Sequence, residues 1–304
     1  MPDHDPWPRW LGKTRFGGDE KAAELEMAGL ARIRDRLLAK AGLGEGKVVL
    51  DVGTGEGLIG FGALDKVGRT GRVIFSDISE ALLQHVESRA RQMGVLDRCS
   101  FVQARAEDLR TIPDESVDLV TTRSVLIYVD DKSKALREFL RVLKPGGRTA
   151  LFEPIDDYRM KEDLQFWRER WWGKPEPDAA PVKDLLERLD EYFESRGEVN
   201  RAMINFNERD LARMCVEVGF AGIHTELHID IGPMPRGGWE VFLNSSGNPF
   251  VPTCGEVIEE IFNSEERERL ERHFRPLVER GGYIARMQTS FTWAFKAPIP
   301  ARPW

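Results

Sequence analysis

The chain has 304 residues, of which 41% are hydrophobic and 31% charged, with a formal net charge of −7. That balance excludes a disordered chain and allows a sizeable core, and the length suits one large α/β domain with additions or two modest domains. The mild acidity argues against a nucleic-acid partner. Cys99, Cys215 and Cys254 are far apart and form no CxxC pair, which argues against a disulfide framework or a zinc site. No apolar run approaches the ~20 residues that span a bilayer, and the first residues lack the basic start and apolar stretch of a secretory signal. A cytoplasmic protein without a membrane partner is therefore expected.

Residues 1–19 combine Pro2, Pro6, Pro8, Gly12, Gly17 and Gly18 with Trp7, Trp10 and Phe16. Proline and glycine argue against a regular element there, while the aromatics predict packing. Residues 20–41 read as an amphipathic helix, with Leu30, Ile33 and Leu37 at helical spacing and Gly42 ending the run. An alternation then begins. Predicted strands cover 48–52, 72–77, 101–103, 117–122 and 148–153. Predicted helices cover 56–66, 79–93 and 132–143. Ser79 is a helix cap with Glu80 in the first turn. Lys144-Pro145-Gly146-Gly147 closes the third helix. Apolar strands alternating with short helices imply a parallel sheet covered on both faces.

After Pro154 the pattern changes. Residues 157–206 read as a helical insertion rich in tryptophan and charge. Asn207 caps a helix to Val218. A sixth strand covers 223–231, and 233–282 form a second insertion, loop-like and then helical. The last strand covers 283–296. The expected divisions are 1–45 (a lid segment and helix), 46–156 (a cofactor-binding core), 157–206 (a substrate cap) and 207–304 (the rest of the core).

The strongest chemical signal is Asp51-Val52-Gly53-Thr54-Gly55-Glu56-Gly57, which follows a strand and opens a helix. Glycine lets the backbone turn sharply and approach a ligand, and a helix N-terminus presents free N–H groups. A dinucleotide site wants G-x-G-x-x-G, but Leu58 stands at the third glycine position.

The D-x-G-x-G-x-G spacing, with Lys144-Pro145-Gly146-Gly147 before the fifth strand, resembles class I S-adenosylmethionine-dependent methyltransferases over roughly residues 45–155. The resemblance implies a doubly wound, seven-stranded, mostly parallel sheet with a helical N-terminal segment and two substrate-side insertions. It implies that Gly53, Thr54, Gly55 and Gly57 cradle the amino-acid end of S-adenosylmethionine and that Asp51 orders the loop. Asp77, beside Ile78, is similar to the acid that binds both ribose hydroxyls, for which a two-oxygen carboxylate suits a cis-diol. Ala106 and Glu107 stand at the adenine contact, Glu107 being favoured over Asp108. Thr122 and Arg123 lie under the sulfonium, and Val125 to Val129 line the floor.

On the acceptor side, Tyr128 and Glu153 are the candidate catalytic groups, with Asp156 and Asp157 near the fifth strand end. Phe16, Trp167, Trp171 and Trp239 are candidates for an aromatic substrate wall, although such stripes are usually packing. His224 and His228 share a strand face, but no third ligand makes a metal site. The expected reaction is methyl transfer to a small molecule, leaving S-adenosyl-L-homocysteine, by a chain that is monomeric or a homodimer. Two alternatives stay open: a nucleotide-dependent oxidoreductase on a similar sheet, or a cofactor-binding module without turnover.

Overall fold

The computed structural model describes residues 5–155, 181–195, 201–233, 237–279 and 284–298. Its centre is one seven-stranded sheet. The strands are β1 (Val48–Val52), β2 (Arg72–Asp77), β3 (Cys99–Gln103), β4 (Val117–Arg123), β5 (Leu143–Pro154), β6 (Ala221–Pro233) and β7 (Ile284–Phe295), in the order β3-β2-β1-β4-β5-β7-β6. Strands β1 to β5 pair in parallel, whereas β7 runs antiparallel to β5. Strand β1 touches β2 on one side and β4 on the other, so the winding reverses there. Such a switch point leaves a crevice beyond the carboxyl ends of the two central strands, where ligands of open α/β sheets bind.

The helices are α1 (Trp7–Gly12), α2 (Glu20–Ala39), α3 (Leu58–Lys66), α4 (Glu80–Gln92), α5 (Lys132–Val142), α6 (Lys183–Glu194), α7 (Arg201–Ile204), α8 (Glu208–Val218), α9 (Trp239–Asn244), α10 (Cys254–Ile261) and α11 (Ser264–Glu279). Their starts follow local chemistry. The Ser79 hydroxyl accepts from Leu82 N at 3.1 Å, and the Asp131 carboxylate accepts from Lys134 N at 2.8 Å. Asn207 and Asp210 form a reciprocal capping box at α8. Each satisfies N–H groups that the first turn leaves unpaired.

Two sequence expectations need correction. The N-terminal segment does contain a helix, α1, because Pro6 and Pro8 fall at its cap and first turn, where a missing N–H and a fixed φ cost nothing. Lys144-Pro145-Gly146-Gly147 is not only a closing loop. Strand β5 already begins at Leu143, paired with Val117, and a register shift follows before Arg148 meets Leu119. The bulge takes up the proline and glycines inside a strand.

By its internal contacts the chain divides into two units. One comprises Gly29–Ile155, Asn205–His228 and Gln288–Trp304 and holds most of the sheet. On one face of this sheet Leu37, Leu38, Phe61, Phe75, Phe152, Phe291 and Trp293 join one buried cluster. Full burial of each large side chain contributes about 1.5–3 kcal/mol. Trp293 is fully buried, and its Nε1 donates to the Leu37 carbonyl at 3.3 Å. At the β6 edge Glu226 accepts from Arg36, Lys40 and a His224 ring nitrogen, and His228 lies 3.7 Å from it. Burial opposes ionisation, but these bonds hold the Glu226 carboxyl well below its usual range. The two histidines thus serve an ion-pair cluster.

The other unit comprises the described residues of Met1–Ala28, Asp156–Ile204 and Ile229–Met287. Its core gathers Leu185, Trp239, Ile258, Phe262, Leu270 and Phe274. Thr253 and Glu256 form a capping box at α10. No helix among the described residues is long and apolar enough to cross a membrane.

Gly60 lies in α3 directly against Phe75, whose Cε1 would sit 2.2 Å from an added Cβ. Gly60→Ala is expected to destabilise the fold by about 1–3 kcal/mol, the scale of overpacking. A urea midpoint equal to that of the native chain would show that α3 does not approach β2 as closely as described.

Candidate active site

The crevice at the switch point is built from loops that buried carboxylates hold in place. After β1 the backbone turns through Gly53, Gly55 and Gly57 at φ values of 63°, 54° and 81°. These lie in the left-handed region that L-side chains disfavour. Gly53 is constrained twice, since an added Cβ would also lie 2.4 Å from Val125 Cγ2. Gly57 is the residue before α3, so the helix starts at Leu58 rather than at 56.

Asp51 is 1% exposed. Its Oδ2 accepts from the Thr54 hydroxyl at 2.7 Å and from Gly60 N at 2.9 Å. It thus ties the loop to the first turn of α3. Burial pushes this carboxyl up to about 7, against the lowering influence of those two bonds and of the Arg123 charge.

Asp77 ends β2 and is 6% exposed. Its Oδ2 accepts from Gly55 N and its Oδ1 from Ser79 N, both at 2.9 Å. Thr54 N donates to the Ser76 carbonyl at 2.9 Å. The glycine loop is therefore pinned to the end of the neighbouring strand by side chain and backbone together.

Beyond β3 the chain makes a turn in which Asp108 N donates to the Arg105 carbonyl. Ala106 is buried, and the Glu107 side chain is 14% exposed, 3.5 Å from Arg105. Asp108 is instead paired with Arg110 at 2.5 Å. Of the two acids, Glu107 is thus the more enclosed. Ile78 is 45% exposed and its carbonyl accepts from Gln103 Nε2 at 3.0 Å.

At the carboxyl end of β4, Thr122 is fully buried and Arg123 half-buried. Ser124 adopts φ 57°, an uncommon conformation for a non-glycine residue, and its N–H donates to the Phe152 carbonyl at 2.8 Å. A short 3-10 turn, Leu126–Tyr128, follows.

Glu153 was expected to face the acceptor as a catalytic group. The structure places it at 0% exposure, with its oxygens turned back into the fold. Oε1 accepts from the Thr122 hydroxyl at 3.1 Å, Val125 N at 3.2 Å and Leu126 N at 3.0 Å, and Oε2 accepts from Ile127 N at 3.1 Å. Burial pushes the carboxyl up, and the four bonds act against that shift. A carboxylate held this way supports the loop that follows β4.

The sequence reading passed over Lys132. Lys132 is 3% exposed; its Nζ donates to the Val129 carbonyl at 2.8 Å and to Asn205 Oδ1 at 2.7 Å, and it lies 4.5 Å from the Phe206 ring centroid. Burial pushes its ammonium down to about 8, with Glu153 and Asp130 opposing. No sequence signal marks it, because a lysine opening a helix ordinarily faces water.

The structure brings Asp51, Gly53, Thr54, Gly55, Gly57, Asp77, Ile78, Ala106, Glu107, Thr122 and Arg123 to the carboxyl ends of β1 to β4, with Tyr128 on the turn after β4. Phe16 and Trp239 belong to the second unit. Arg15 lies over the rings of Trp10 and Phe16, while Trp239 is 4% exposed and stacks on Phe242 at 5.1 Å. Trp239 is thereby a core residue of that unit. Trp167, Trp171, Asp156 and Asp157 lie outside the described residues.

Residues 43–192 match the sequence model of a family described as "Methyltransferase domain". The ubiquinone/menaquinone biosynthesis C-methyltransferase UbiE of Psychromonas ingrahamii is 40% identical over 127 residues, a match covering 39% of this chain and 49% of the relative. The chain thus spans about half the length of this curated relative. Among solved structures, the YcgJ protein of Bacillus subtilis superposes with a TM-score of 0.56 at 18% identity, covering 86% of this chain and 97% of that one. The [4+2]-cyclase SpnF superposes with a TM-score of 0.52 at 19% identity, covering 89% of this chain and 82% of that one. These two likenesses concern the fold.

Asp51 supplies a test of the loop's electrostatics. A buried carboxyl titrating near 7 keeps its proton at pH values where the unfolded chain, near 3.8, has released it. Its contribution to stability is therefore full below about 4 and is lost as pH rises through 7. Relative to Asp51→Asn, the unfolding free energy of the native chain should fall by up to about 4 kcal/mol between pH 4 and pH 8, at 1.36 kcal/mol for each unit. A difference that stays flat across this range would mean that Asp51 is ionised throughout.

The alternating β-α order, the switch point between β1 and β4 and the matched family model agree: over residues 43–192 the chain is similar to the family described as a methyltransferase domain.

Proposed function

We propose that this protein transfers the methyl group of S-adenosylmethionine to a nucleophilic atom of a small-molecule acceptor. The observation that carries this reading is the left-handed glycine turn of Gly53, Gly55 and Gly57 at the switch point, fastened to Asp77 at the end of the adjacent strand. When bound, S-adenosylmethionine supplies an activated methyl on a sulfonium, with a good leaving group already in place.

The residues present fit that ligand by the chemistry of their donors and acceptors. The glycine turn offers backbone close to the crevice without Cβ atoms in the way. The Asp77 carboxylate offers both oxygens to a ribose diol while keeping the loop bonds it already accepts. Glu107 offers an acceptor to an exocyclic amine. Arg123 and Tyr128 lie on the β4 side, where the acceptor's nucleophile would be aligned. Orientation carries most of the work in such a displacement, and a general base is required only for acceptors protonated at working pH.

We read Glu153 as a support for this floor, and Trp239 as packing. A cytoplasmic setting agrees with three cysteines free of disulfides. The acceptor is not inherited from the curated relative, because the match covers 49% of its length. Leu58 in place of a third glycine disfavours a dinucleotide, hence an oxidoreductase.

Calorimetry tests the reading. S-adenosylhomocysteine should bind and nicotinamide dinucleotides should not. Asp77→Ala should weaken S-adenosylhomocysteine binding by about 1–3 kcal/mol, the scale for a hydrogen bond to a charged group. Unchanged affinity would remove Asp77 from the site, and preferential dinucleotide binding would replace the methyl-transfer reading altogether. A labelled-methyl screen across amines, phenols, thiols and carbon acids then identifies the acceptor; transfer to none would favour a binding module.

A further inference from the structure

We propose that Glu153 and Lys132 are positioning residues, a buried anion and a buried cation that grip the two ends of the Leu126–Tyr128 turn and so fix the floor of the crevice. The role in methyl transfer rests on the reading above; the clamp itself rests on hydrogen bonds within the sheet-bearing unit.

Glu153 stands at the end of β5, yet its hydrogen-bond partners among the described residues belong to the β4 side. They are the Thr122 hydroxyl and three consecutive backbone N–H groups, Val125, Leu126 and Ile127. These are the donors that open the turn, and a buried N–H without a partner is costly. Lys132 takes the other end, donating to the Val129 carbonyl that directly follows the turn. The same ammonium donates to Asn205 Oδ1 and lies over the Phe206 ring. It therefore couples the turn to the place where the chain re-enters the sheet-bearing unit ahead of α8. Each charge acts on the other, since Glu153 raises the proton affinity of Lys132. A lone ion in such a place is strongly disfavoured, and removing one partner strands the other.

What the clamp holds is functional in position. Val125, whose N–H Glu153 accepts, presses its Cγ2 against Gly53, so closely that a Cβ there would come within 2.4 Å. Ser124 before it holds a strained φ of 57°, a conformation that persists only where neighbours over-determine it. Tyr128 ends the same turn. Displacing the turn therefore shifts one wall of the glycine loop and the candidate acceptor-side hydroxyl together. Ser290 pairs with Glu153 across β5 and β7, and its buried hydroxyl has no partner among the described residues. A glutamate at a strand end that faced solvent would need none of this.

The test uses the full-length chain. Amide hydrogen exchange is followed without ligand in the native chain, Glu153→Gln and Lys132→Met, and S-adenosylhomocysteine is titrated into each. In Glu153→Gln the new amide group meets Ile127 N–H, donor against donor. Exchange at Val125, Leu126 and Ile127 should rise at least tenfold, while the amides of Val49, Leu50 and Val73 in the strands keep their protection. Lys132→Met should loosen the same segment. Ligand affinity should fall about tenfold in each single variant, and by less than the product of the two in the double variant, because both act through one turn. Thr122→Val, which deletes a single bond to Glu153, gives a milder version should Glu153→Gln unfold, with an intermediate rise at the same amides.

Unchanged exchange at 125–127 in the variants would overturn the clamp. So would a rise spread equally through the strands, which marks a general loss of stability. Fully additive losses of affinity would overturn the coupling between the two residues. A native chain that fails to bind S-adenosylhomocysteine would overturn the floor's role in methyl transfer, whereas the exchange pattern alone judges the clamp.

Discussion

Burying a carboxylate at the end of a sheet strand is unfavourable unless hydrogen-bond donors meet it, and this chain meets that cost three times with loop backbone. Asp51 on β1 accepts from Gly60 N and the Thr54 hydroxyl, Asp77 on β2 from Gly55 and Ser79 N, and Glu153 on β5 from three N–H groups and a hydroxyl. The donors are the groups that irregular loops would otherwise leave unpaired. One arrangement thereby resolves two penalties. The loops around the crevice take fixed shapes because the sheet offers them carboxyl oxygens at fixed places. The site geometry follows from that constraint more than from any loop propensity.

The consequence for function is pre-organisation. A methyl displacement gains chiefly from alignment, and alignment needs loops that do not wander. The glycine turn supplies the shape, since Gly53, Gly55 and Gly57 sit at positive φ and a Cβ on Gly53 or Gly57 would strike Val125 or Phe61. The carboxylates supply rigidity. Val125 joins the two halves by packing on Gly53, so the β1 loop and the β4 turn are set by one contact between them. The fold alone does not choose the reaction, as the structural likeness to a protein named a cyclase illustrates. The choice rests on the donors and acceptors in the crevice.

Much of the sheet was legible because its signals are local. Val48 to Val52 and Val117 to Thr122 are short buried apolar runs, and Ser79, Asp131 and Asn207 mark helix starts by their own side-chain chemistry. The glycine spacing and Asp77 were legible as candidates for the same reason. The short helix at Trp7–Gly12 was obscured because proline counts as a breaker until its position in the first turn is known. The early start of β5 was obscured by Pro145 and two glycines, which a bulge accommodates. Glu153 and Lys132 were hidden for a different reason. Nothing in their neighbours along the chain shows that partners 26 to 31 and 73 residues away will enclose them. Burial of a charge is a tertiary fact, and a strand-end glutamate reads as solvent-facing until its donors are seen. Trp239 shows the converse, since an aromatic suited to a substrate wall lies in the core of its own unit.

The most direct measurement is a crystal structure of the chain grown with S-adenosylhomocysteine. The ribose hydroxyls should lie on the Asp77 carboxylate, the amino-acid end along Gly53 to Gly57, and the sulfur over the Leu126–Tyr128 turn with Glu153 still enclosed. Density for the ligand elsewhere, or a crevice without it at saturating concentration, would contradict the account.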